Sequence, residues 1–541
     1  MTKKHLLILF ISGIVSALPY VFPSLFFISW FSFIPAIFIL IKLGHTVTKR
    51  SAYLSGMIFG LGYFGVTYYW FWYLYPMEFA GVTPMQSVAL MLLCWLGLSL
   101  IHALEFGALP LLYRLIAPNN TGILVRAFKF VGLFTVFEWQ QSLFWRGVPW
   151  ARLAITQSAF PALQQSASLF GSIFTGAIII SVNALLTTAI CYALPYFKGE
   201  SFKARLFSAL KARSAQILAA AALLLFTANL LFGVIRIAIH DEKQGDPLVA
   251  GVIQGNISSL EKWGVSDVDT FIADQLALTY DCVTETGASL IVWSETVIPI
   301  SLSYHSEVQD RISALAMTLD VTILVGAFDS IYNDEAWDYD DYNAIYLFTP
   351  DGEVGETRYY KRQLVPFGEY MPLEKLIMSI FPILEELNLL GSTLTPGNDS
   401  NLFDTEFGKV GSLICFDSIY QQLALDSVRD GARILTVSTN DSWFSDSAAL
   451  YQHNGHSVLR AIETGRYVLR SANTGVSTVI SSEGAILDML PPLEKGYASA
   501  EIYATDERTL YSYAGDIFVY LTIGALVFLA GYDVLKGKMH K

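Results

Sequence analysis

The chain has 541 residues, of which 53% are hydrophobic, and it carries a formal net charge of −13 at pH 7. This composition is too apolar for an ordinary soluble enzyme and predicts a membrane protein. The acidic balance, without a basic stripe or a nucleic-acid motif, argues against nucleic acid as a partner.

Long stretches with few charges predict eight membrane spans, because each can cross a hydrocarbon core of about 30 Å as a helix. The fifth stretch is the least apolar, since it contains Glu138, Gln140 and Gln141, but without it the later loops would lie on the wrong sides. The stretches cover residues 5–22, 24–41, 52–75, 86–104, 127–145, 170–194, 216–238 and 517–535.

Lysine and arginine recur in alternate loops, and this alternation predicts the orientation in the membrane. Lys3 and Lys4 precede the first span, and Lys42, Lys49 and Arg50 follow the second. We therefore expect both termini in the cytoplasm and the long segment after span seven on the extracytoplasmic side of the membrane. The first span also has the outline of a cleavable signal peptide, but its removal would invert every later loop.

The segment after span seven has the character of a folded aqueous domain. Charged residues become frequent, and short strand-like runs such as "VTILVGAF" and "VSTVISSEGAIL" alternate with helical stretches at 266–286 and 446–465. The sequence therefore predicts a polytopic helical bundle at 1–242, a sheet-rich α/β sandwich domain at 243–510, and a last span with a cytoplasmic tail at 511–541.

Strand and loop ends in this domain carry reactive side chains. Glu295 ends "LIVWSE", Lys361 and Glu369 lie in "YYKRQLVPFGEY", and Cys415 ends "GSLICF". Chemistry in α/β folds gathers where strands end. Thiol acyl transfer requires a thiol nucleophile, a carboxylate of raised pKa that can accept the thiol proton, and a cation or amide donors beside the developing oxyanion.

Each of these residues, taken alone, is more often structural. Among the cysteines, Cys94 and Cys191 lie inside spans and Cys282 lies in a helical pattern, so Cys415 alone stands at a strand-to-loop boundary. A disulfide between Cys282 and Cys415 is permitted outside the cytoplasm, but their spacing does not favour it.

Two other features of the domain have ordinary explanations. His453 and His456 are three residues apart, but acid or thiol ligands at metal spacing do not accompany them, so we expect no metal site. The acidic run "DEAWDYDDY" is most simply a solvated loop.

The order of "VWSE", "YYKRQLVPFGEY" and "GSLICFD" resembles the Glu-Lys-Cys set of the nitrilase superfamily. The segments "VIQGNI" with the later "KW", "KRQLVPFGEYMPLE", "NDSWFSDSAALYQH", "RAIETGRYVLRSANTGVS" and, in the membrane part, "GVPWARLAITQ" are similar to its membrane branch, the apolipoprotein N-acyltransferases. This resemblance covers nearly the whole chain. It implies an αββα nitrilase-like domain on a membrane bundle.

The resemblance also implies roles for individual residues. Glu295 matches the general base, Lys361 the oxyanion-stabilising lysine, Cys415 the nucleophile and Glu369 a second glutamate that orients the site. Substrate-binding or supporting positions are Trp263, Phe416, Asp417, Asn440 and Trp443. Two positions depart from the family pattern: Ser294 stands where proline is usual, and Phe416-Asp417 stand where Tyr-Glu is usual.

The reaction implied by the resemblance takes an acyl chain from a phospholipid and places it on the α-amine of a lipoprotein's lipidated N-terminal cysteine. The expected partners are a phospholipid donor, a diacylglyceryl apolipoprotein acceptor and membrane lipid, with no cofactor, and we expect a monomer. Two alternatives stay open: a membrane-tethered amide or nitrile hydrolase with the same three residues, and a transporter with an outer receptor domain.

Overall fold

The computed structural model divides the chain into two compact units. One unit comprises Met1–Trp72, Ala89–His240 and Ala514–Lys541, and the other comprises Tyr73–Val88 and Asp241–Tyr513. The described residues are 1–43, 46–77, 82–118, 121–143, 147–197, 208, 211–239, 243–258, 262, 268–335, 337–366, 368–371, 374, 379 and 393–539.

The α-helices of these residues are numbered here in chain order. They are α1 (Lys3–Val21), α2 (Ile34–Leu43), α3 (Lys49–Thr67), α4 (Pro84–Ile116), α5 (Ile123–Gln140), α6 (Ala167–Phe170), α7 (Ser172–Ala193), α8 (Arg213–Ile239), α9 (Val268–Thr286), α10 (Ser306–Leu319), α11 (Gln421–Arg429), α12 (Ala448–Thr464), α13 (Leu510–Ala514) and α14 (Ile517–Met539).

The strands all belong to the second unit. They are β1 (Asp246–Gln254), β2 (Leu290–Val292), β3 (Ile298–Ser301), β4 (Thr322–Asn333), β5 (Asp338–Phe348), β6 (Val354–Tyr360), β7 (Phe403–Thr405), β8 (Gly408–Ile414), β9 (Ile434–Thr439), β10 (Val468–Ala472), β11 (Ser477–Ile480), β12 (Ile486–Leu490) and β13 (Gly496–Ala504).

Six helical segments of the described chain are long and apolar enough to cross a membrane. They are Lys3–Val21, Pro23–Lys42, Pro84–Ile116, Ser172–Tyr196, Arg213–Ile239 and Ile517–Lys536. The remaining two of the eight expected spans correspond to α3, which opens with Lys49 and Arg50, and to α5, which contains charged residues. The count of eight therefore stays a prediction.

Close backbone contacts and a buried ion pair hold the first unit together. A Cβ on Gly13 of α1 would lie 2.2 Å from the Phe59 carbonyl oxygen of α3, so glycine permits the two helices to approach closely. The Lys129 ammonium of α5 lies 2.6 Å from the Asp533 carboxylate of α14, with Lys129 fully buried. Because an unpaired charge inside an apolar bundle is costly, this pair fixes α14 against α5.

Two sheets form the centre of the second unit. One has the order β13-β1-β2-β4-β5-β6, with β3 paired to β4, and the other has the order β12-β11-β10-β9-β8-β7. The pairs β1–β2, β2–β4, β8–β9 and β9–β10 are parallel. The carboxyl ends of parallel strands meet at one edge, and this is where functional side chains collect.

Alternating side chains of the strands build two separate cores. On β4, Ile323 and Val325 pack with α9 and α10, whereas Leu324 packs with Val410 and Ile434 of the other sheet. The second unit is thus a sandwich with helices outside the paired sheets, which agrees with the α/β architecture expected from the sequence.

Two expectations about local elements were wrong. The acidic run is not a solvated loop throughout: Asp338–Tyr342 belong to β5 and pair with β4, because their backbone hydrogen bonds extend the hairpin beyond the buried part of the sheet. The run "VSTVISSEGAIL" is not one strand but the hairpin β11–β12, since Gly484 adopts φ +80° between the two strands.

Candidate active site

Glu295 lies in the turn that follows β2, with its side chain almost completely buried. Its Oε1 accepts hydrogen bonds from Lys361 Nζ at 2.9 Å and Asn343 Nδ2 at 2.7 Å, and its Oε2 accepts one from the Asn440 backbone N–H at 2.7 Å. Donors on both oxygens fix the carboxylate in one orientation.

Lys361 directly follows β6, and its ammonium lies between two carboxylates. Nζ is 2.9 Å from Glu295 Oε1 and 2.7 Å from Glu369 Oε1. The second oxygen of Glu369 accepts from the Val365 backbone N–H at 2.8 Å. Glu369 therefore ties the lysine to the loop that follows it, as an orienting glutamate would.

Cys415 stands at the end of β8, at the first residue of the 3₁₀ helix Cys415–Ile419. Its φ is +49°, a left-handed conformation that a residue with a Cβ seldom adopts and that is often associated with functional sites. Cys415 is partly buried, and all four cysteines are free, so Cys282 is not its disulfide partner.

The pKa shifts at the site favour a neutral Cys415 thiol and an ionised Glu295 carboxylate. Burial raises the pKa of Cys415, and Glu295 raises it further, although Lys361 opposes the shift. Burial alone would raise the pKa of Glu295, but Lys361, Lys262 and Asn343 outweigh it and the pKa is lowered. Burial would lower the pKa of Lys361, yet its carboxylate neighbours raise it well above its usual value. Before any proton transfer, the acid is therefore ionised and the thiol is neutral. The lowered pKa of Glu295 contradicts the raised pKa expected of this carboxylate, because the two lysines beside it stabilise its charge.

Asp417, two residues after the thiol, supports the site through the backbone. Its Oδ1 accepts from the Gln363 N–H at 2.7 Å, and its Oδ2 accepts from the Ile414 N–H at 3.0 Å and from the Tyr359 hydroxyl at 2.9 Å. It thereby joins the strand end that carries Cys415 to the turn that carries Lys361. Burial raises the pKa of Asp417 to about 6.

The other expected site residues lie at different distances from this centre. Asn440 holds Glu295 through its backbone, as described above, while its side-chain oxygen accepts from Asn473 Nδ2 at 3.1 Å. Phe416 is buried against Tyr420, with ring centroids 5.6 Å apart. Trp443 is partly exposed in the 3₁₀ helix Asp441–Phe444. Trp263 lies outside the described residues.

Sequence reasoning missed Asn343 and Lys262. Asn343 sits in the middle of β5, where strand residues are normally packing residues. Lys262 is buried, and its Nζ donates to the Glu295 carbonyl oxygen at 2.9 Å and to Thr296 Oγ1 at 2.7 Å. Burial lowers the pKa of Lys262 to about 7, although Glu295 opposes the shift. The resemblance of the "KW" pair was the only signal for Lys262, and no segment that the sequence analysis singled out contains Asn343.

No cluster of histidine, cysteine and acidic side chains within the described parts of the chain has a metal-binding arrangement. The site instead consists of one thiol, one ammonium and two carboxylates from separate elements. Their arrangement can activate a nucleophile and stabilise an oxyanion without a metal.

The sandwich that carries this acid, ammonium and thiol is of the carbon-nitrogen hydrolase class, because the family model "Carbon-nitrogen hydrolase" matches residues 249–510. A second model, "Apolipoprotein N-acyltransferase N-terminal domain", matches residues 12–185. The chain belongs to the apolipoprotein N-acyltransferase family.

Individual relatives are similar along most of their length. The apolipoprotein N-acyltransferase of Geobacter metallireducens is 28% identical, with 99% of this chain and 97% of that protein covered. The apolipoprotein N-acyltransferase of Methylococcus capsulatus is 28% identical to this chain, with 88% of this chain and 87% of that protein covered. That of Haemophilus ducreyi is 27% identical, with 92% and 90% covered. The similarity thus includes both the helical unit and the sandwich.

Proposed function

We propose that this protein transfers an acyl chain from a phospholipid to the α-amine of the S-diacylglyceryl cysteine at the N-terminus of apolipoproteins. The observation that carries the proposal is the buried Glu295–Lys361 ion pair, extended by the partly exposed Glu369, beside Cys415 in a protein whose helical part also matches the family. The family name supports the acceptor, and the apolar spans support a lipid donor.

In the first half-reaction, Cys415 Sγ attacks the ester carbonyl of the phospholipid while Glu295 takes the thiol proton. The negative charge on the carbonyl oxygen is stabilised by Lys361. When the carbon–oxygen bond breaks, Glu295 returns the proton to the departing alcohol, and the products are a lysophospholipid and an acyl thioester on Cys415.

In the second half-reaction, the amine of the acceptor attacks the thioester carbonyl. Glu295 takes a proton from the nitrogen, the carbon–sulfur bond breaks, and the same proton returns to the Cys415 sulfur. An amide forms and the free thiol is restored. These ping-pong steps use only groups of the chain and require no metal or cofactor.

The proposal is tested by Cys415→Ser, which nearly preserves shape but replaces the thiol with a hydroxyl that is scarcely ionised at neutral pH. We expect a folded, membrane-inserted protein that transfers no acyl chain, measured by mass spectrometry of a lipoprotein N-terminus. The matched control is Cys282→Ser, because Cys282 is also free but lies in α9. The control should retain transfer.

Incubation of the unsubstituted enzyme with phospholipid alone should add one acyl mass to the peptide that contains Cys415, removable by neutral hydroxylamine. An active Cys415→Ser protein, or an adduct that maps to Cys282, would contradict the proposal. Release of ammonia or free fatty acid in place of the amide product would identify a hydrolase instead.

A further inference from the structure

A buried cluster of three ionisable side chains lies directly behind Cys415. Asp441, His453 and Arg470 are each at most 1% exposed. One Arg470 nitrogen lies 2.6 Å from Asp441 Oδ2 and 3.1 Å from His453 Nδ1, and His453 Nδ1 lies 2.9 Å from Asp441 Oδ1. Neither half-reaction described above uses any of the three.

The cluster reaches the thiol through the backbone. His453 Nε2 is 3.2 Å from the Cys415 carbonyl oxygen and 3.1 Å from Ser418 Oγ, and Ser418 Oγ donates to the same carbonyl at 2.7 Å. Cys415 has the strained φ of +49°, so its orientation needs support from surrounding groups. Two donors on its carbonyl oxygen provide that support.

The hydrogen positions follow from the partners. A carbonyl oxygen only accepts, so His453 must carry its hydrogen on Nε2 to contact Cys415. Nδ1 faces two neighbours with opposite requirements: the Arg470 guanidinium at 3.1 Å can only donate to it, and the Asp441 carboxylate at 2.9 Å can only accept from it. Donation from Arg470 favours the hydrogen on Nε2. With the hydrogen on Nδ1 instead, Nε2 would accept from Ser418, and the Cys415 carbonyl would lose both donors. Support of the Cys415 carbonyl by His453 therefore depends on the tautomer with the hydrogen on Nε2, and Asp441 holds both Arg470 and the His453 ring in place.

The same cluster adjoins the base. Asp441 follows Asn440, whose backbone N–H donates to Glu295 Oε2 at 2.7 Å. Thr439 Oγ1 donates to Asp441 Oδ1 at 2.9 Å. A Cβ on Gly475 would lie 2.3 Å from Asp441 Oδ2, so glycine leaves the space that this carboxylate occupies. The cluster thus contacts both the backbone of Cys415 and the segment whose Asn440 N–H binds Glu295.

We propose that His453 is a positioning residue, oriented by Arg470 and Asp441, that fixes the backbone of Cys415 so that the thiol stays beside Glu295 and Lys361. This inference rests on the proposed function, since it assigns a role in thioester formation. It does not involve a metal, and His453 itself does not touch the substrate.

The test compares His453→Ala with His453→Gln in the full chain in detergent, with phosphatidylethanolamine as the acyl donor. We expect His453→Ala to slow formation of the Cys415 thioester at saturating donor by about 100-fold, the loss that a misplacement of about 1 Å carries. The KM for the donor should not change, because substrate contacts are intact. His453→Gln retains an amide N–H that can reach the carbonyl, and should recover at least about tenfold of the lost rate.

The matched control is His456→Gln, one turn along α12 and equally buried. It should form the thioester at the rate of the unsubstituted enzyme. A folded His453→Ala protein that acylates at the full rate would overturn the inference. A loss that glutamine does not relieve would also overturn it, because that result indicates packing rather than a hydrogen bond.

A second measurement separates this inference from the proposed function. Iodoacetamide alkylation of Cys415, followed by peptide mass mapping, needs no acyl donor. If the unsubstituted enzyme is never acylated by phospholipid, the proposed function fails, and alkylation still tests the inference. Slower alkylation of Cys415 in His453→Ala than in His456→Gln supports it, and equal rates overturn it.

Discussion

Asp417 shows how one acid can serve a site without taking part in the chemistry. Each of its hydrogen-bond partners is a donor, and these donors belong to the two turns that present Cys415 and Lys361. Its shorter side chain, compared with the glutamate usual in the family, is sufficient for these contacts. The departure at this position therefore keeps a connection between the two turns.

The raised pKa of Asp417 gives a testable pH dependence. Burial raises it from 3.8 to about 6, so the folded protein binds this proton more tightly than the unfolded chain does. The stabilising contribution is complete below about pH 4 and is lost as the pH rises through 6. Relative to Asp417→Asn, whose amide does not titrate, the unsubstituted protein should lose about 2 kcal/mol of unfolding free energy between pH 4 and 7.

Denaturant unfolding of both proteins in detergent, at intervals from pH 4 to 7, measures this difference. The comparison cancels every other titrating group. A difference that stays constant over the range would show that Asp417 keeps an ordinary pKa in the folded protein.

Residues at element ends were predictable, and residues inside elements were not. Glu295, Lys361 and Cys415 follow strands, where a sequence pattern marks them. Asn343 and His453 lie within a strand and a helix, where the pattern marks only packing. Their roles depend on the pairing of β5 with β4 and on the position of α12, which are long-range contacts that local sequence does not encode.

At the scale of elements, strand β4 contributes to the site through a glycine, Gly326, which has no side chain where the turn that carries Glu295 approaches the strand. A Cβ on Gly326 would lie 2.2 Å from the Ser294 carbonyl oxygen and 2.9 Å from the Thr296 nitrogen. Both atoms are backbone atoms of the turn that carries Glu295, so they cannot move without moving Glu295. The glycine permits this turn to sit directly on the strand.

Gly326→Ala should therefore displace the base. We expect a loss of about 100-fold in thioester formation, with about 1–3 kcal/mol of destabilisation from overpacking. The matched control is Gly496→Ala in β13, where the nearest atoms are Leu490 side-chain carbons at 3.5 Å. Both variants are compared by acylation rate and unfolding midpoint. Full activity in Gly326→Ala would mean that the turn tolerates displacement.

Two of the expected membrane spans are not simple apolar α-helices. The predicted span at 52–75 ends as an α-helix at Thr67 and continues as the 3₁₀ helix Tyr69–Leu74. The predicted span at 127–145 is the helix α5, whose Lys129 is neutralised by Asp533 more than 400 residues later. A hydropathy average treats Lys129 as an unfavourable charge in the span, because the average does not include the ion pair with the distant Asp533.

At the scale of the whole molecule, the arrangement of lysine and arginine leads to a prediction about sidedness. A reporter fused after Tyr511 should be active only outside the cytoplasm, and one fused after Lys541 only inside, because positively charged loops stay cytoplasmic. Reporter enzymes that require either an oxidising or a reducing compartment measure both fusions. Activity of both on the same side would show that α14 does not cross the membrane.

The pairing of β1 with β13 has a consequence for biosynthesis. These strands are antiparallel along their whole length, with Asp246 opposite Ala504. The first strand of the sandwich therefore cannot form this pairing until the last strand has been synthesised. At about 5–20 residues per second, a ribosome needs about 10–50 s to supply the intervening chain. During that interval one edge of β1 presents unpaired backbone groups, which are prone to wrong pairing. Only a short stretch separates β13 from α14, which begins at Ile517, so the sheet receives its closing strand just before the last helix leaves the ribosome.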